Sequence, residues 1–409
     1  MSYLKRREEI YRPLRDNGIF NWDYMYNSEY ALASIYAVSQ ENKAELAYAA
    51  ERLGKIFTKA IEIVQIADRQ LFLELGIPEL TIAAARRVVI PEIPTLIGRF
   101  DFTKTNQGWK MLEFNSDTPG GIVEAYYANG KVCDYYGLCD PNKGLESEIT
   151  NAFQTIIKRY ASLGYDTHKI VFSALDWHAE DAGTARYLMN CAKVNACFAP
   201  LKNLRLYKDK LWVLMDNALE PIDVLYRLHP LGLLSGEKDT DDFPTGAFVL
   251  KLIEEGKLAI INPPSAIIAQ TKALQVLIWN LHEMQEFFTE EEHEIIDTYM
   301  LPTYMENRFL TKCPYVTKPV LGREGNGIGL YNEDGVLTEN TSNHFVDQGS
   351  IYQKKVDLEV AEVETLKGVY RGYLLWGAFL LNGKASAIDL RIGGRITDDM
   401  AYFLPIHLK

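Results

Sequence analysis

The apolar period of this chain changes twice along its length, and that restricts the fold more than any single motif does. From Leu46 the apolar positions Ala49, Ala50, Leu53, Phe57, Ala60, Ile61 and Val64 follow the i, i+3, i+4, i+7 stripe of a core-facing helix, and the first ninety residues read as helical. Gly76, Pro78, Pro91 and Pro94 punctuate the stretch after this helix. The middle third alternates. An amphipathic helix runs through Ile149, Phe153, Ile156, Ile157 and Tyr160. Short buried strands are expected at 169–175, 211–215, 223–226 and 258–261, with helices near 182–194 and 247–255. Such alternation predicts a mainly parallel α/β layer. Pro263-Pro264 closes this unit, and one long helical region is expected from Thr271 to Tyr299. The last ninety residues switch to strands, at 315–320, 327–331, 350–356, 368–381 and 384–391. Asn382-Gly383 joins the last two with a strong hairpin signal. The expected class is α/β with α+β elements.

With 409 residues, 47% hydrophobic and 24% charged, the chain has the composition of a globular protein of two or three compact units. Acids outnumber lysines and arginines 55 to 43, a net charge of −12. A field of that sign does not attract nucleic acid or anionic lipid, so neither is an expected partner. No apolar run approaches the ~18 residues of a membrane span. The N-terminus, with Lys5, Arg6, Arg7, Glu8 and Glu9, lacks the apolar segment of a secretory signal. Five cysteines without a C-x-x-C read as reduced thiols, and the expected location is cytoplasmic.

Three segments carry chemistry. The first pairs Arg99-Phe100-Asp101 with Glu113-Phe114-Asn115 across a turn at Thr105-Asn106-Gln107-Gly108. Side chains alternate along a strand, so a turn centred near Gln107 places Arg99 opposite Asn115 and Asp101 opposite Glu113 on one face. Phe100, Leu112 and Phe114 are expected on the other face, toward a core. Two carboxylates and an amide, with positions open to water and phosphate, suit Mg²⁺. The same residues also suit a surface hairpin with an ordinary Arg–Asp pair. The second segment is Lys318 followed by the loop Gly322-Arg323-Glu324-Gly325-Asn326-Gly327-Ile328-Gly329. Glycines let backbone N–H groups approach phosphate oxygens, and the ammonium adds charge where ATP phosphates would lie. No Gly-Lys-Ser/Thr comes after the glycines, so this is not a Walker loop, and a plain glycine-rich hairpin fits equally. The third is terminal. Gln353, Lys354, Lys355 and Val356 leave a strand able to offer its backbone to an adenine edge, while Arg391 and Arg395 end the final hairpin. Lys272 reads as a surface residue at a helix start or as a phosphate ligand. The loop Asp176-Trp177-His178-Ala179-Glu180-Asp181 follows a buried strand, where an acidic loop either receives a cationic amine or caps a helix. The seven histidines show no metal spacing, and no hydrolase triad is evident.

In this order the motifs resemble the synthetase-only members of the glutathionylspermidine synthase family of ATP-grasp ligases. The matching segments are Gly98-Arg99-Phe100-Asp101-Phe102, Leu112-Glu113-Phe114-Asn115-Ser116-Asp117-Thr118-Pro119, Lys318-Pro319 with Gly322 and Gly325, Tyr352-Gln353, and Leu390-Arg391 with Gly393-Gly394-Arg395-Ile396-Thr397-Asp398. The resemblance implies a permuted ATP-grasp fold with a pre-ATP-grasp-like parallel α/β unit and an N-terminal helical region. The implied division is helical 1–95, metal-binding strands 96–130, the α/β unit 166–265, the lid 266–358 and returning core strands 359–409. It implies ATP, two Mg²⁺ ions, and ligation of a small-molecule or peptide carboxylate to an amine. By the same resemblance Asp101, Glu113 and Asn115 hold the metal, and Arg99 and Arg391 are catalytic. Arg99, Asp101, Lys272, Lys318, Gly322, Gly325, Gly327, Gln353, Lys354, Lys355 and Val356 bind the nucleotide, and Thr118, Glu180 and Asp181 meet substrate. Two departures stand out. Gly120 occupies a position where relatives carry serine, and Arg227-Leu228-His229-Pro230-Leu231-Gly232 lacks the acid of the Lys-Leu-Tyr-Pro-Trp-Glu-like run. The alternatives are a kinase-like phosphotransferase and a non-catalytic ATP-binding protein of the same fold.

Overall fold

The apolar stripe of the first third forms one helix, Gln40–Ile66, in a computed structural model that describes residues 2–409. Ser39 caps it by accepting the Asn42 N–H, satisfying a donor that the helix leaves unpaired. Leu46, Leu53, Phe57, Ile61 and Val64 are buried against one face of a six-stranded antiparallel sheet. Its strands run in the order Tyr402–Phe403, Lys384–Gly393, Gly368–Leu381, Ile97–Thr105 and Gly108–Asn115, with Val360–Thr365 paired to the start of Gly368–Leu381. Phe57 meets Phe100 and Phe114 edge-on, with centroids 5.4 and 5.2 Å apart, and Phe100 stacks on Phe114 at 3.9 Å. Each such pair adds about 0.5–1.5 kcal/mol beyond the buried area.

The early hairpin shows the expected pairs, Arg99 with Asn115 and Asp101 with Glu113, by a less direct route than parity alone. The turn has two residues, since Thr105 pairs with Gly108, and this register would place Asp101 opposite Leu112. A bulge between Asp101 and Phe102 leaves Leu112 unpaired and restores the register beyond it. Leu112 therefore lines a cavity rather than the core, contrary to expectation, and Met111 is buried in its place.

Four parallel strands form a second sheet in the order Ala259–Ile261, Val224–Leu228, Ile170–Ala174 and Ala196–Pro200. Phe153 of helix Glu146–Ser162 packs on Phe172 and Tyr226. The expected strand at 211–215 does not join this layer. Lys210–Met215 sits in a separate antiparallel sheet with Leu204–Tyr207 and Ala218–Pro221. The reason is local: Lys208, Asp209, Asp216 and Asn217 adopt positive φ and close two-residue hairpins, which reverse the chain at once. Ala196–Pro200, which apolar patterning does not single out, takes the edge position instead. The expected long helix is also two, Ala273–Glu283 and Glu290–Tyr299. Positive φ at Gln285 and Phe287 breaks it, and Thr289 and Glu292 form a capping box that restarts it. A five-stranded antiparallel sheet comes next, in the order Thr303–Tyr304, Ser350–Lys354, Tyr315–Pro319, Gly329–Tyr331 and Leu337–Asn340. No helix among the described residues is long and apolar enough to cross a membrane.

Two buried polar clamps fasten the ends of the parallel strands to the open end of the early hairpin. The Asn262 amide accepts the N–H groups of Leu96 and Ile97 and donates to the carbonyls of Ile97, Ser116 and Asp117. Arg227 Nη2 lies 2.6 Å from Asp117 Oδ1, both side chains out of solvent, and the Leu231 N–H donates to Asp117 Oδ2 at 2.7 Å. Removing one member of such a pair strands the other charge. Asp117→Ala is expected to lower the unfolding free energy by about 3–5 kcal/mol, read from denaturant midpoints.

Candidate functional site

The sheet face turned away from helix Gln40–Ile66 is charged. In register across four strands lie Glu113, Asp101, Gly377 and Asp389. Asp101 is buried and fully engaged. Arg99 Nε lies 2.6 Å from its Oδ1 and Nη2 3.1 Å from its Oδ2, while Arg391 Nη2 reaches Oδ2 at 2.8 Å. Asn115 Nδ2 donates to Asp101 Oδ2 at 3.2 Å and to Glu113 Oε1 at 3.3 Å. Arg99 Nη1 also donates to the Gly120 carbonyl at 2.6 Å. The expected cluster of two carboxylates, an amide and a guanidinium is thus one contiguous network. A half-turn of the Asn115 amide would exchange nitrogen for oxygen and give an all-oxygen donor set suited to a hard divalent cation.

Two lysines border this network. Lys272 Nζ lies 3.1 Å from Glu113 Oε2 and donates to the Gly322 carbonyl at 2.7 Å. It is buried, so of the two readings the sequence allowed it is not the surface residue. Lys318 Nζ donates to Gln353 Oε1 at 2.8 Å and to the Leu112 carbonyl at 3.0 Å. Burial pulls the Lys318 ammonium down to about 8, against the pull of Glu113. Burial would raise the Glu113 carboxyl, but Lys272 and Lys318 outweigh it and hold it at about 2.

A cavity of about 320 Å³ opens onto these groups. Asp101, Glu113, Lys272, Lys318, Gly322 and Gly325 are all in its lining. Gln353, Lys354, Lys355 and Val356 line the strand end. The early hairpin and a loop about two hundred residues later therefore share one cleft. The Gln353 amide is itself committed, to Lys318, Gln275 and Thr303, so it braces Lys318 as well as lining the wall. Gly325 has φ +68°, and a Cβ there would stand 2.5 Å from the Thr397 carbonyl oxygen, so glycine lets the loop rest on the C-terminal segment. Gly327 does not line the cavity; it turns the loop against Pro319 and Asn343.

Arg99, Asn115 and Arg391 reach the network from beside the cavity. Thr118, Glu180 and Asp181 lie apart from it. Thr118 sits in the segment that leaves the hairpin, next to Asp117. Gly120, two residues on, faces Glu180: a Cβ on it would lie 3.0 Å from Glu180 Oε1. Burial, then Glu124 and Asp181, push the Glu180 carboxyl up to about 8. Asp181 Oδ2 lies 3.4 Å from His178 Nδ1, a partner that raises the imidazole pKa.

Sequence reading missed three groups. Glu124 is fully buried, takes hydrogen bonds from Trp22 Nε1 (2.8 Å) and Tyr30 Oη (3.1 Å), and leaves Oε2 without a partner. It lies in a π-helical turn, Glu124–Ala128, that periodicity does not reveal. Asp389 is buried on the charged face, and burial raises its carboxyl. Its signal was present, because it shares strand parity with Arg391. Arg323 lines the cavity, has no carboxylate partner among the described residues, and is lowered by burial; in sequence it is one more residue of the glycine loop, with nothing to mark it.

The fold is mixed α/β, with a glycine loop and a charged sheet face lining one cleft, and comparison narrows the class. The family described as glutathionylspermidine synthase preATP-grasp matches residues 1–409, and the chain belongs to that family. A Haemophilus influenzae protein whose provisional name is acid–amine ligase is 26% identical over 329 residues, 76% of this chain and 74% of that one. The bifunctional glutathionylspermidine synthetase/amidase of Escherichia coli is 22% identical, covering 84% of this chain but 56% of its own length, so the chain spans about half of that relative. A glutathione synthetase-like effector from Globodera pallida, solved in its apoform, superposes with a TM-score of 0.58 at 14% identity, over 92% of this chain and 90% of that one. That last likeness concerns the fold.

The Lys318 ammonium is charged below about pH 8 and loses its proton above it. The affinity of the cavity for a polyphosphate anion, probed with inorganic triphosphate by calorimetry, is expected to weaken above about pH 8 with a slope approaching about tenfold per pH unit, and Lys318→Arg is expected to abolish that limb.

Proposed function

We propose that the protein is an ATP-dependent carboxylate–amine ligase on a permuted ATP-grasp fold. The observation that supports this best is the single cleft shared by Asp101, Glu113, Lys272, Lys318 and the 322–327 loop. Lys272, Lys318 and the backbone N–H of Gly325 bind the phosphates, while Gly322 and Gly327, whose N–H groups donate to the Pro319 and Ser342 carbonyls, shape the loop. Gln353, Lys354, Lys355 and Val356 border the purine. Asp101, Glu113 and Asn115 would hold Mg²⁺, as two ions, which when bound neutralises charge on the phosphate oxygens.

The chemistry follows from what a carboxylate lacks. It is a poor electrophile, so its oxygen first attacks the γ-phosphorus and ADP departs, leaving an acyl phosphate. The amine then attacks the acyl carbon; the C–N bond forms and phosphate leaves. Arg99 and Arg391 stabilise the negative charge on the acyl oxygens, and the unpaired Arg323 adds a third cation from the loop. Glu180 and Asp181, with Glu124 behind them, attract the amine, and Glu180 takes the proton that it releases. Its carboxyl at about 8 is near the value an efficient base needs. Thr118 orients substrate where the hairpin strand ends. Closure of the loop over the C-terminal segment keeps water from the acyl phosphate. Gly120 and the 227–232 segment differ from the glutathionylspermidine pattern, so the reading extends to an amide bond and not to that particular product.

Incubation with ATP, Mg²⁺ and a mixture of candidate acids and amines is expected to give a new amide by mass spectrometry, together with ADP and phosphate. Asp101→Asn or Glu113→Gln is expected to cut that rate by about 10²–10³-fold. A stable phosphorylated product in place of the amide would make the protein a phosphotransferase, and undiminished synthesis by both variants would remove the metal assignment.

The Glu180 carboxyl ionises near pH 8, and an ammonium is held by the ionised form. The KM for the amine is therefore expected to fall as pH rises toward about 8, and Glu180→Gln is expected to flatten this limb while leaving ATP affinity in place.

A further inference from the structure

Asp389 lies on the charged face one strand beyond Gly377 from Asp101, and the proposed chemistry gives it no task. We infer that Asp389 is a positioning residue that takes over the Arg99 guanidinium when a divalent cation takes the oxygens of Asp101. This rests on the reading of Asp101, Glu113 and Asn115 as cation ligands.

Cation and guanidinium compete for the same oxygens. Asp101 Oδ1 accepts Arg99 Nε at 2.6 Å, and Oδ2 accepts Arg99 Nη2, Arg391 Nη2 and Asn115 Nδ2. A cation bound through these oxygens needs the same lone pairs, and a guanidinium left beside it would add like charge at short range. Arg391 has a way out, since 21% of its side chain is exposed. Arg99 does not, at 8% side-chain exposure, and a buried guanidinium without a carboxylate is costly.

Asp389 supplies that carboxylate. Its Oδ1 is buried without a hydrogen-bond partner. The space between the two groups is kept clear by two glycines from different parts of the chain. A Cβ on Gly377 would lie 1.8 Å from Asp389 Oδ1 and 2.7 Å from Arg99 Cδ. A Cβ on Gly121 would lie 3.0 Å from Asp389 Oδ2 and 3.4 Å from Arg99 Nη1. Any side chain at Gly377 would fill the slot through which the guanidinium must turn. Arg99 Nη1, held by the Gly120 carbonyl at 2.6 Å, provides the pivot. The turn carries Nε and Nη2 from one aspartate toward the other.

The test is a double-mutant cycle on the cation-dependent part of nucleotide binding. Calorimetry gives Kd for a non-hydrolysable ATP analogue in EDTA and in Mg²⁺, and the ratio isolates the cation. In the wild type the ratio is expected to favour Mg²⁺. Asp389→Asn is expected to reduce it by about 10–100-fold with Kd in EDTA unchanged, and Asp389→Glu to recover part of the loss. In an Arg99→Gln background, with no guanidinium to rehouse, Asp389→Asn is expected to change the ratio by less than about twofold. An unchanged ratio in Asp389→Asn, or an equal drop in both backgrounds, overturns the inference while leaving the cation site standing. A wild type with no Mg²⁺ enhancement overturns both. A second readout needs no Asp389 variant. The Arg99 Nε–H resonance, assigned by its loss in Arg99→Gln, is expected to shift when Mg²⁺ joins the nucleotide complex, and a stationary signal overturns the inference.

Discussion

A buried carboxylate held by two guanidiniums and an amide is the interaction on which the charged face depends. Asp101 sits between Glu113 and Asp389 in one cross-strand row, with Gly377 separating it from the latter. Unpaired, three acids this close and this dry would not stay ionised together. Arg99, Arg391, Lys272 and Lys318 supply the counter-charge from four separate parts of the sequence, so the face is balanced only when the early hairpin, strand Lys384–Gly393, the start of helix Ala273–Glu283 and the five-stranded sheet are all assembled. An apolar row would hold a sheet as well or better, because buried ion pairs seldom repay the loss of hydration. The charges therefore speak for chemistry rather than for stability, whereas the opposite face, with Phe57, Phe100 and Phe114, carries the packing.

The division between faces explains which parts of the molecule could be read from residues alone. Period-2 alternation fixes a face, so Arg99 and Asp101 on one strand and Glu113 and Asn115 on the other were legible as a cluster. The pairing was also legible, although it depends on two offsetting features, a two-residue turn and a bulge at Leu112, neither of which alternation encodes. Asn382-Gly383 fixed its hairpin outright, because both residues tolerate the positive φ that the turn demands. Lys208-Asp209 and Asp216-Asn217 do the same with residues less distinctive than glycine, and the strand between them was assigned to the wrong sheet.

The features that stayed hidden depend on contacts remote in sequence. Nothing local to Gly377 says why a long apolar strand should carry a glycine; the reason lies in Asp389 and Arg99, on the strands either side of it. Nothing local to Gly325 names the Thr397 carbonyl as its neighbour. The burial of Glu124 with Trp22 and Tyr30 follows from the N-terminal region folding over the turn at Gly120-Gly121. Gly120 itself is tied to both sides of the site. Its carbonyl holds Arg99, and its missing side chain makes room for Glu180.

That double contact joins the acidic region to the charged face. Arg99 is held between Asp101 on one side and the Gly120 carbonyl on the other, and the turn that presents this carbonyl abuts Glu180. A shift of the turn that accommodates a ligand at Glu180 must move the carbonyl that anchors Arg99. A shift of Arg99 must in turn alter the field at Glu180, whose proton affinity Arg99 lowers. The Asn262 and Asp117 clamps fix the neighbouring residues 116 and 117 to the parallel sheet, so the free movement is confined to the few residues after them. Polar clamps on one side and a glycine pair on the other thus set this turn between the two regions, in contact with both.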